Sequence, residues 1–176
     1  VDSCLAADPA MAVVLASHVV GVGASAGGLE ALERLFSTMP ANTGMAFVVA
    51  QHLSPDFKSL MPELLERQTR MPVVAVDDDQ PLNANTVYVL TSGLTMTVRG
   101  SSLHVEPRRA LSEQNLPINL LFDSMASLAQ KAVAIVLSGT GTDGTVGAHS
   151  VHAAGGLVLA QLPATARFDS MPRSAI

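Results

Sequence analysis

The chain has 176 residues, about the length of one domain, and 48% of them are hydrophobic while 14% are charged. This composition excludes a disordered chain, and a net charge of −5, with Arg108–Arg109 as the only adjacent basic pair, argues against a nucleic-acid partner. Cys4 is the only cysteine, so the sequence excludes an intrachain disulfide and a cysteine-based zinc site.

Residues 1–17 are predicted to form an N-terminal tail ahead of the domain. The apolar stretch in this tail follows Asp2 and Asp8 instead of lysine or arginine, and His18 interrupts it. An export signal begins with positive charge. We therefore expect a cytoplasmic protein without membrane insertion.

Strands and helices alternate from residue 18 onwards. The apolar patterns predict a strand over 18–22, a helix over 29–38 that ends before Pro40, a strand over 45–50, a helix over 58–67 and a strand over 72–76. The inner face of the second helix is predicted to consist of Leu60, Met61, Leu64 and Leu65. Strands that alternate with helices are typical of a parallel sheet.

The second half begins with closely spaced strands and then returns to the same alternation. The patterns predict strands over 86–90, 94–98 and 102–105, a helix over 117–130, a strand over 132–137, a helix over 144–154 and a strand over 157–160. The first three are expected to form a meander. We predict one α/β domain over 18–176 with a doubly wound, mainly parallel sheet, helices on both faces and an inserted antiparallel β-hairpin.

The loop after the first strand carries two overlapping glycine motifs. Residues 21–26 read GVGASA, the pattern of a dinucleotide-binding turn, and residues 23–27 read GASAG, the pattern of a nucleophile elbow with Ser25 at its tip. A dinucleotide site also needs an acidic residue about 20 positions later, at the end of the second strand. Gln51 and His52 stand there instead. The nucleophile elbow is therefore favoured.

Three strand ends supply the residue types of a serine-hydrolase triad. Ser25 follows the first strand, His52 follows the second, and Asp143 lies in the loop after the strand over 132–137. Because the carboxyl ends of parallel strands share one edge, we expect these side chains to meet. Ser25 would be the nucleophile, His52 the general base and Asp143 the residue that orients His52. The backbone N–H of Ala26 is the expected oxyanion donor.

Simpler structural roles stay open for several of these residues. A serine beside glycine is often a turn or cap residue, and Asp143, directly before Gly144, could cap the helix that follows. His149 and His152 have the i, i+3 spacing of metal ligands, but no third ligand accompanies them. We interpret both as helix-surface residues, and the acidic stretch over 76–81 as a solvated turn, so no metal site is predicted.

Six stretches of the sequence match the motifs of one known family. They are GASAGG around Ser25, QHLSPDF from residue 51, VYVL from residue 87, PINLLFDSMA from residue 117, LSGTGTDGT from residue 137 and FDSMPRSAI from residue 168. Together they resemble the catalytic domain of the CheB family, the chemotaxis protein-glutamate methylesterases. The order Ser, His, Asp agrees with that family and differs from the order in α/β-hydrolases.

This resemblance implies hydrolysis of glutamate γ-methyl esters on the cytoplasmic helices of chemoreceptors, with release of methanol, and also deamidation of glutamine. It implies no metal or organic cofactor. It assigns the second oxyanion amide to Thr140 and a position at the substrate cleft to Met171. The family commonly has methionine where this chain has Thr140, and threonine where it has Ala26. Side-chain packing around the oxyanion hole is therefore expected to differ.

The resemblance also suggests attached domains and an alternative role. Members commonly carry a receiver domain ahead of this one, and the stretches GVGASAGGLEAL and VVAQHLSPD resemble hybrids with a methyltransferase. The family's final strand and helix are expected after Ile176, which would leave the C-terminal edge truncated. The alternative function is a receptor-docking or regulatory module with little catalysis of its own.

Overall fold

In a computed structural model, the chain is described over residues 14–51, 60–108 and 116–176. The strands of these segments are β1 (Val19–Ala24), β2 (Ala46–Gln51), β3 (Val73–Val76), β4 (Gln80–Pro81), β5 (Thr86–Leu90), β6 (Leu94–Arg99), β7 (Ser102–Pro107), β8 (Ala132–Val136) and β9 (Leu157–Ala160). The α-helices are α1 (Gly28–Thr38), α2 (Met61–Glu66), α3 (Pro117–Met125), α4 (Thr145–Ala153) and α5 (Ser170–Ser174). Short 3-10 helices occupy Ala126–Lys131 and Pro163–Thr165.

The large sheet is parallel throughout, with the strand order β3-β5-β2-β1-β8-β9. After β1, the chain builds the sheet outwards on one side with β2, β3 and β5, and then on the other side with β8 and β9. This reversal creates a topological switch point between β1 and β8, where the carboxyl ends of the strands border a crevice. The predicted doubly wound α/β fold is confirmed.

The small sheet corrects one detail of the predicted topology. It has the order β4-β7-β6, and β6 and β7 form an antiparallel hairpin, as predicted. The strand β5, predicted to share a meander with them, instead pairs in parallel with β2 and β3. All residues of β5 are buried. Burial on both faces suits an inner strand of a parallel sheet better than a hairpin.

Helices cover both faces of the large sheet. On one face, Val20 and Val22 of β1 share a buried cluster with Leu32 and Phe36 of α1 and Leu65 of α2. The opposite face packs against α3 and α4, through Ile118, Leu121, Phe122, Met125, Ala148 and Val151. The core is therefore two apolar layers, one on each side of the sheet.

Gly21 and Gly23 of β1 allow α3 to lie directly on the sheet. A Cβ atom at Gly21 would lie 2.9 Å from Cε1 of Phe122, and a Cβ atom at Gly23 would collide with Ile118. Side chains alternate along a strand, so both glycines face α3 while their valine neighbours face α1. Helix packing therefore accounts for both glycines of the apparent dinucleotide motif.

The second helix is shorter than predicted. It begins at Met61, and residues 58–59 of the predicted helix lie outside the described part of the chain. Leu60 precedes the first turn and is 64% exposed, so its prediction as an inner-face residue is wrong. Met61 and Leu65 are buried as predicted. A residue ahead of the first helical turn does not share the direction of the helical stripe.

The helix predicted over 117–130 is interrupted. The α-helix α3 is followed by the 3-10 helix Ala126–Lys131, in which Ala129 has a φ of 51°. A residue with a positive φ cannot continue a right-handed α-helix. Within the described residues, no helix is both long and apolar enough to cross a membrane.

The acidic stretch over 76–81 contains one anchoring residue. The carboxylate of Asp79 accepts a hydrogen bond of 2.7 Å from the Val105 N–H, and Nδ1 of His104 lies 2.9 Å from its other oxygen. The bond from Val105 is the main cause that lowers the pKa of Asp79 from its ordinary value. The exposed turn is therefore solvated, as predicted, yet it is also tied to the hairpin through β7.

Candidate active site

The nucleophile loop is a tight turn between β1 and α1. The Ser25 N–H donates to the Ser138 carbonyl at 3.0 Å, and the Gly28 N–H donates to the Ser25 carbonyl at 2.9 Å. Gly27 has a φ of 69°, which favours glycine. A Cβ atom at Gly28 would lie 2.6 Å from Cβ of Ala24. The paired glycines after Ser25 therefore let the start of α1 turn back onto its own strand.

Ser138 joins this loop to two other segments. Its buried hydroxyl donates to the Ala26 carbonyl at 2.9 Å and accepts from the Phe168 N–H at 3.0 Å. Its N–H donates to Oε1 of Gln161 at 2.8 Å. Ser138 belongs to the LSGTGTDGT motif, but the sequence pattern predicts no role for it. Its position at the end of a buried strand was the only available signal.

Gly139 sits where the loops after β1 and β8 touch. Its N–H donates to the Phe168 carbonyl at 3.0 Å, and its carbonyl accepts from the Met171 N–H at 3.1 Å. A Cβ atom at Gly139 would lie 3.0 Å from Cβ of Ser25 and would collide with Sδ of Met171. Met171 is fully buried against this loop. Its assignment to the substrate cleft stays a prediction.

Asp143 caps a helix, but a different helix from the one that follows it. Its carboxylate accepts hydrogen bonds from the Ile118 N–H at 3.1 Å and the Asn119 N–H at 2.9 Å, in the first turn of α3. Asp143 is 2% exposed. The residue at the cap position of α3, Leu116, has no side-chain acceptor. The positive end of the α3 dipole favours a carboxylate at this position.

His52 lies outside the described residues, so the meeting of the three triad side chains stays a prediction. The neighbouring Gln51 ends β2, and its Cα is in register with Ala24, the residue before Ser25. The described end of β2 therefore lies beside the end of β1. Oε1 of Gln51 is buried and has no hydrogen-bond partner among residues 14–51, 60–108 and 116–176.

The two amides predicted as oxyanion donors follow neighbouring strands. Ala26 comes after β1 and is partly buried, whereas Thr140 comes after β8 and is exposed. In the described part of the chain, neither backbone N–H donates a hydrogen bond to a carbonyl or side-chain acceptor. Amides in that state can bind an incoming oxyanion. Their role stays a prediction.

A shallow cleft of about 520 Å³ opens beside the candidate nucleophile. It is lined by Ser25, Ala26, Gly27, Leu29, Glu30, Gln51 and Arg167.

Elsewhere on the described surface, His149 and His152 are exposed on α4, as predicted. Among the described residues, no three histidine, cysteine or acidic side chains are close enough together to hold a metal ion.

Nearly the whole chain matches one known protein family. The family model described as CheB methylesterase matches residues 20–176. The chain belongs to the CheB methylesterase family. The resemblance inferred from the sequence motifs is therefore confirmed.

This chain is similar to parts of two longer proteins. An uncharacterized 104.1 kDa protein in the hypE 3′ region of Rhodobacter capsulatus is 53% identical over 119 residues, which cover 66% of this chain and 12% of the relative. The protein-glutamate methylesterase/protein-glutamine glutaminase 1 of Myxococcus xanthus is 36% identical over 163 residues, covering 90% of this chain and 47% of the relative. The chain thus spans less than half the length of either protein.

A solved structure has the same fold. The crystal structure of the Thermotoga maritima CheB methylesterase catalytic domain superimposes with a TM-score of 0.81 at 26% sequence identity. The match covers 92% of this chain and 88% of that domain. The chain therefore has the architecture of a CheB catalytic domain over nearly its whole length.

Proposed function

We propose that this chain is a serine hydrolase that removes methyl groups from glutamate γ-methyl esters of chemoreceptors and that also deamidates glutamine. One observation carries the proposal: the Ser25 N–H bonds to Ser138, where the loop that holds Asp143 begins. This contact lies at the switch point of the sheet, between β1 and β8. The chain that carries it belongs to the CheB methylesterase family. The name of the Myxococcus xanthus relative states both activities.

The first chemical step forms an acyl-enzyme. The Ser25 hydroxyl attacks the γ-carbonyl carbon of the ester while His52 takes its proton, and Asp143 stabilises the resulting imidazolium. The Ala26 and Thr140 amides bind the oxyanion of the tetrahedral intermediate. His52 then donates its proton to the leaving oxygen, and methanol departs.

Water completes the reaction. His52 removes a proton from a water molecule, whose oxygen attacks the acyl carbon, and the proton returns to the Ser25 oxygen as the acyl bond breaks. The product is a glutamate carboxylate. With glutamine as substrate, ammonia leaves in place of methanol. Every step uses side chains, backbone amides and water, so the mechanism requires no cofactor.

The biological setting is part of the proposal. We assign the substrate to the cytoplasmic helices of chemoreceptors, and the chain to the cytoplasm, because the family resemblance implies both. Met171 is assigned to the edge of the substrate cleft on the same basis. We also propose an attached receiver or methyltransferase domain, since the Rhodobacter capsulatus relative contains this region as a small part of a 104.1 kDa protein.

The decisive experiment measures methanol release from membranes that carry methylated chemoreceptors. We expect release by the wild-type chain and a loss of about 10⁶-fold in the Ser25→Ala variant, because the triad acts as a unit. The control is Ser37→Ala, which changes an exposed serine on α1 whose hydroxyl donates to the Arg34 carbonyl. The control is expected to retain full activity.

Two outcomes would contradict the proposal. Equal methanol release by the wild type and the Ser25→Ala variant would rule out the serine mechanism. Receptor binding by a wild-type chain that releases no methanol would instead support the docking or regulatory module.

A further inference from the structure

The cleft beside Ser25 contains a single cation among the described residues that line it. This is Arg167, and the anion that faces it is Glu30 on α1. The remaining lining residues are uncharged. The net charge of the chain is −5, so an acidic substrate segment meets general repulsion. Among the described lining residues, Arg167 is therefore the group that could attract a carboxylate.

The backbone of Arg167 is held next to the nucleophile loop. The following residue, Phe168, donates its N–H to Oγ of Ser138 and accepts from the Gly139 N–H. A Cβ atom at Gly27 would lie 2.9 Å from Cβ of Arg167. The stem of this arginine thus packs against the turn that carries Ser25. Its position relative to the candidate nucleophile is fixed by the same hydrogen bonds that shape the site.

The guanidinium group of Arg167, in contrast, is only weakly engaged. Its Nη1 lies 3.7 Å from Oε1 of Glu30, and the two side chains are 65% and 63% exposed. Its Cζ is 5.9 Å from the centre of the Phe168 ring. An exposed ion pair at this distance contributes little free energy. A substrate carboxylate could therefore replace Glu30 as its partner at small cost.

We infer that Arg167 is a specificity-determining residue that selects acidic protein segments, by binding a carboxylate next to the ester that Ser25 attacks. This inference rests on the proposed function. The proposed reaction converts a neutral ester into a glutamate carboxylate, so a segment with several such glutamates becomes more anionic as it is processed. Guanidinium groups bind carboxylates with defined geometry. Arg167 would retain such a segment while its remaining esters are hydrolysed.

The test uses two peptides that each carry one glutamate γ-methyl ester. The residues flanking the ester are glutamate in one peptide and glutamine in the other. The measured quantity is the ratio of kcat/KM for the acidic peptide to kcat/KM for the neutral peptide. We expect Arg167→Ala to lower this ratio about 3-fold and Arg167→Glu about 10-fold. The change is expected in KM with kcat preserved, and added salt should reduce the wild-type ratio.

The matched control is Arg34→Glu. Arg34 is exposed on α1 one turn beyond Glu30. It borders a neighbouring depression, which Arg167 and Glu30 also line, but not the cleft at Ser25. The substitution Arg34→Glu changes the net charge by the same amount as Arg167→Glu. The inference is supported if the ratio falls in both Arg167 variants and stays within about 2-fold of wild type in this control. An unchanged ratio in both Arg167 variants, or an equal fall in Arg34→Glu, overturns it.

A binding measurement separates this inference from the proposed reaction. The dissociation constants of the acidic and neutral peptides are measured for the Ser25→Ala chain with and without Arg167→Glu. If the wild type releases no methanol from either peptide, the methylesterase proposal fails. The ratio of dissociation constants then still decides the role of Arg167: a fall of about 10-fold in preference for the acidic peptide supports it, and no change overturns it.

Discussion

A buried hydroxyl group at residue 138 connects three segments around the candidate nucleophile. It bonds the Ala26 carbonyl after β1 and the Phe168 N–H near the C-terminal end of the described chain. The backbone N–H of the same residue bonds Gln161. Gly139, the next residue, leaves no space for a side chain between Ser25 and Met171. These two residues fix the distance between the nucleophile loop and the loop that holds Asp143.

Replacing Ser138 with alanine tests this connection. The Ala26 carbonyl and the Phe168 N–H would lose their shared partner, so we expect the free energy of unfolding to fall by about 1–3 kcal/mol in urea denaturation. Methanol release is expected to fall as well, because the Ser25 loop loses an anchor. The exposed Ser37→Ala control should stay within about 0.5 kcal/mol of wild type. An unchanged unfolding midpoint in Ser138→Ala would contradict this account.

At the scale of elements, the N-terminus of α3 is stabilised by residues from outside the helix. Asp143 accepts the Ile118 and Asn119 N–H groups, which have no acceptor within the first turn. Oδ1 of Asn119 in turn accepts the Gly147 N–H of α4. The two helices and the acidic loop therefore support one another. Asp143 has a structural function that is independent of any contact with His52.

Asp143→Asn separates this structural function from catalysis. Asparagine offers one oxygen and one NH₂ group, so one of the two helix amides would face another donor. We expect a loss of about 1–3 kcal/mol in the free energy of unfolding, measured in urea. The same loss should appear when the substitution is made in the Ser25→Ala chain. The control is Asp123→Asn at an exposed position of α3, where asparagine keeps the Oδ1 that accepts the Ser150 hydroxyl. This control should change stability by less than about 0.5 kcal/mol.

If Asp143→Asn lowers methanol release while leaving the unfolding curve unchanged, the hydrogen bonds from α3 to Asp143 do not contribute to the free energy of unfolding. The reverse result, lost stability with full activity, would remove Asp143 from the proposed triad.

At the scale of the whole molecule, α3 links the large sheet to the small one. Its inner face lies on Gly21 and Gly23 of β1. On the side of the small sheet, Oγ of Ser124 accepts the Val98 N–H of β6 at 2.9 Å. Since Asp143 bonds the first turn of the same helix, the position of α3 also determines where the predicted acid lies. Core packing and site geometry are therefore coupled through one helix.

Gly23→Ala tests this coupling. The added methyl group would collide with Ile118 and shift α3, so we expect a loss of about 1–3 kcal/mol in stability together with lower methanol release. Ile118→Ala alone is expected to cost about 2–5 kcal/mol, because it leaves a cavity. The double variant should lose less than the sum of the two single variants, since each change relieves the other. Strict additivity in urea denaturation would show that the two residues do not interact.

Local sequence patterns determined most of the elements of this protein and the residue types at its strand ends. Strand and helix periods depend on neighbouring residues, and glycine turns depend on local backbone geometry, so both can be inferred without a fold. The motifs also sufficed to identify the family. They placed Ser25 directly after β1 and Asp143 in the loop after β8, as the structure does.

Only the tertiary structure decided which distant residues meet. It moved β5 into the parallel sheet, exposed Leu60, and showed that the apparent dinucleotide glycines accommodate α3. It also gave Ser138 a partner 112 residues away and directed Asp143 to the start of α3. The physical reason is that strand order and helix docking depend on contacts between residues far apart in the chain. A periodic pattern reports which side of an element is apolar, but not which element will cover it.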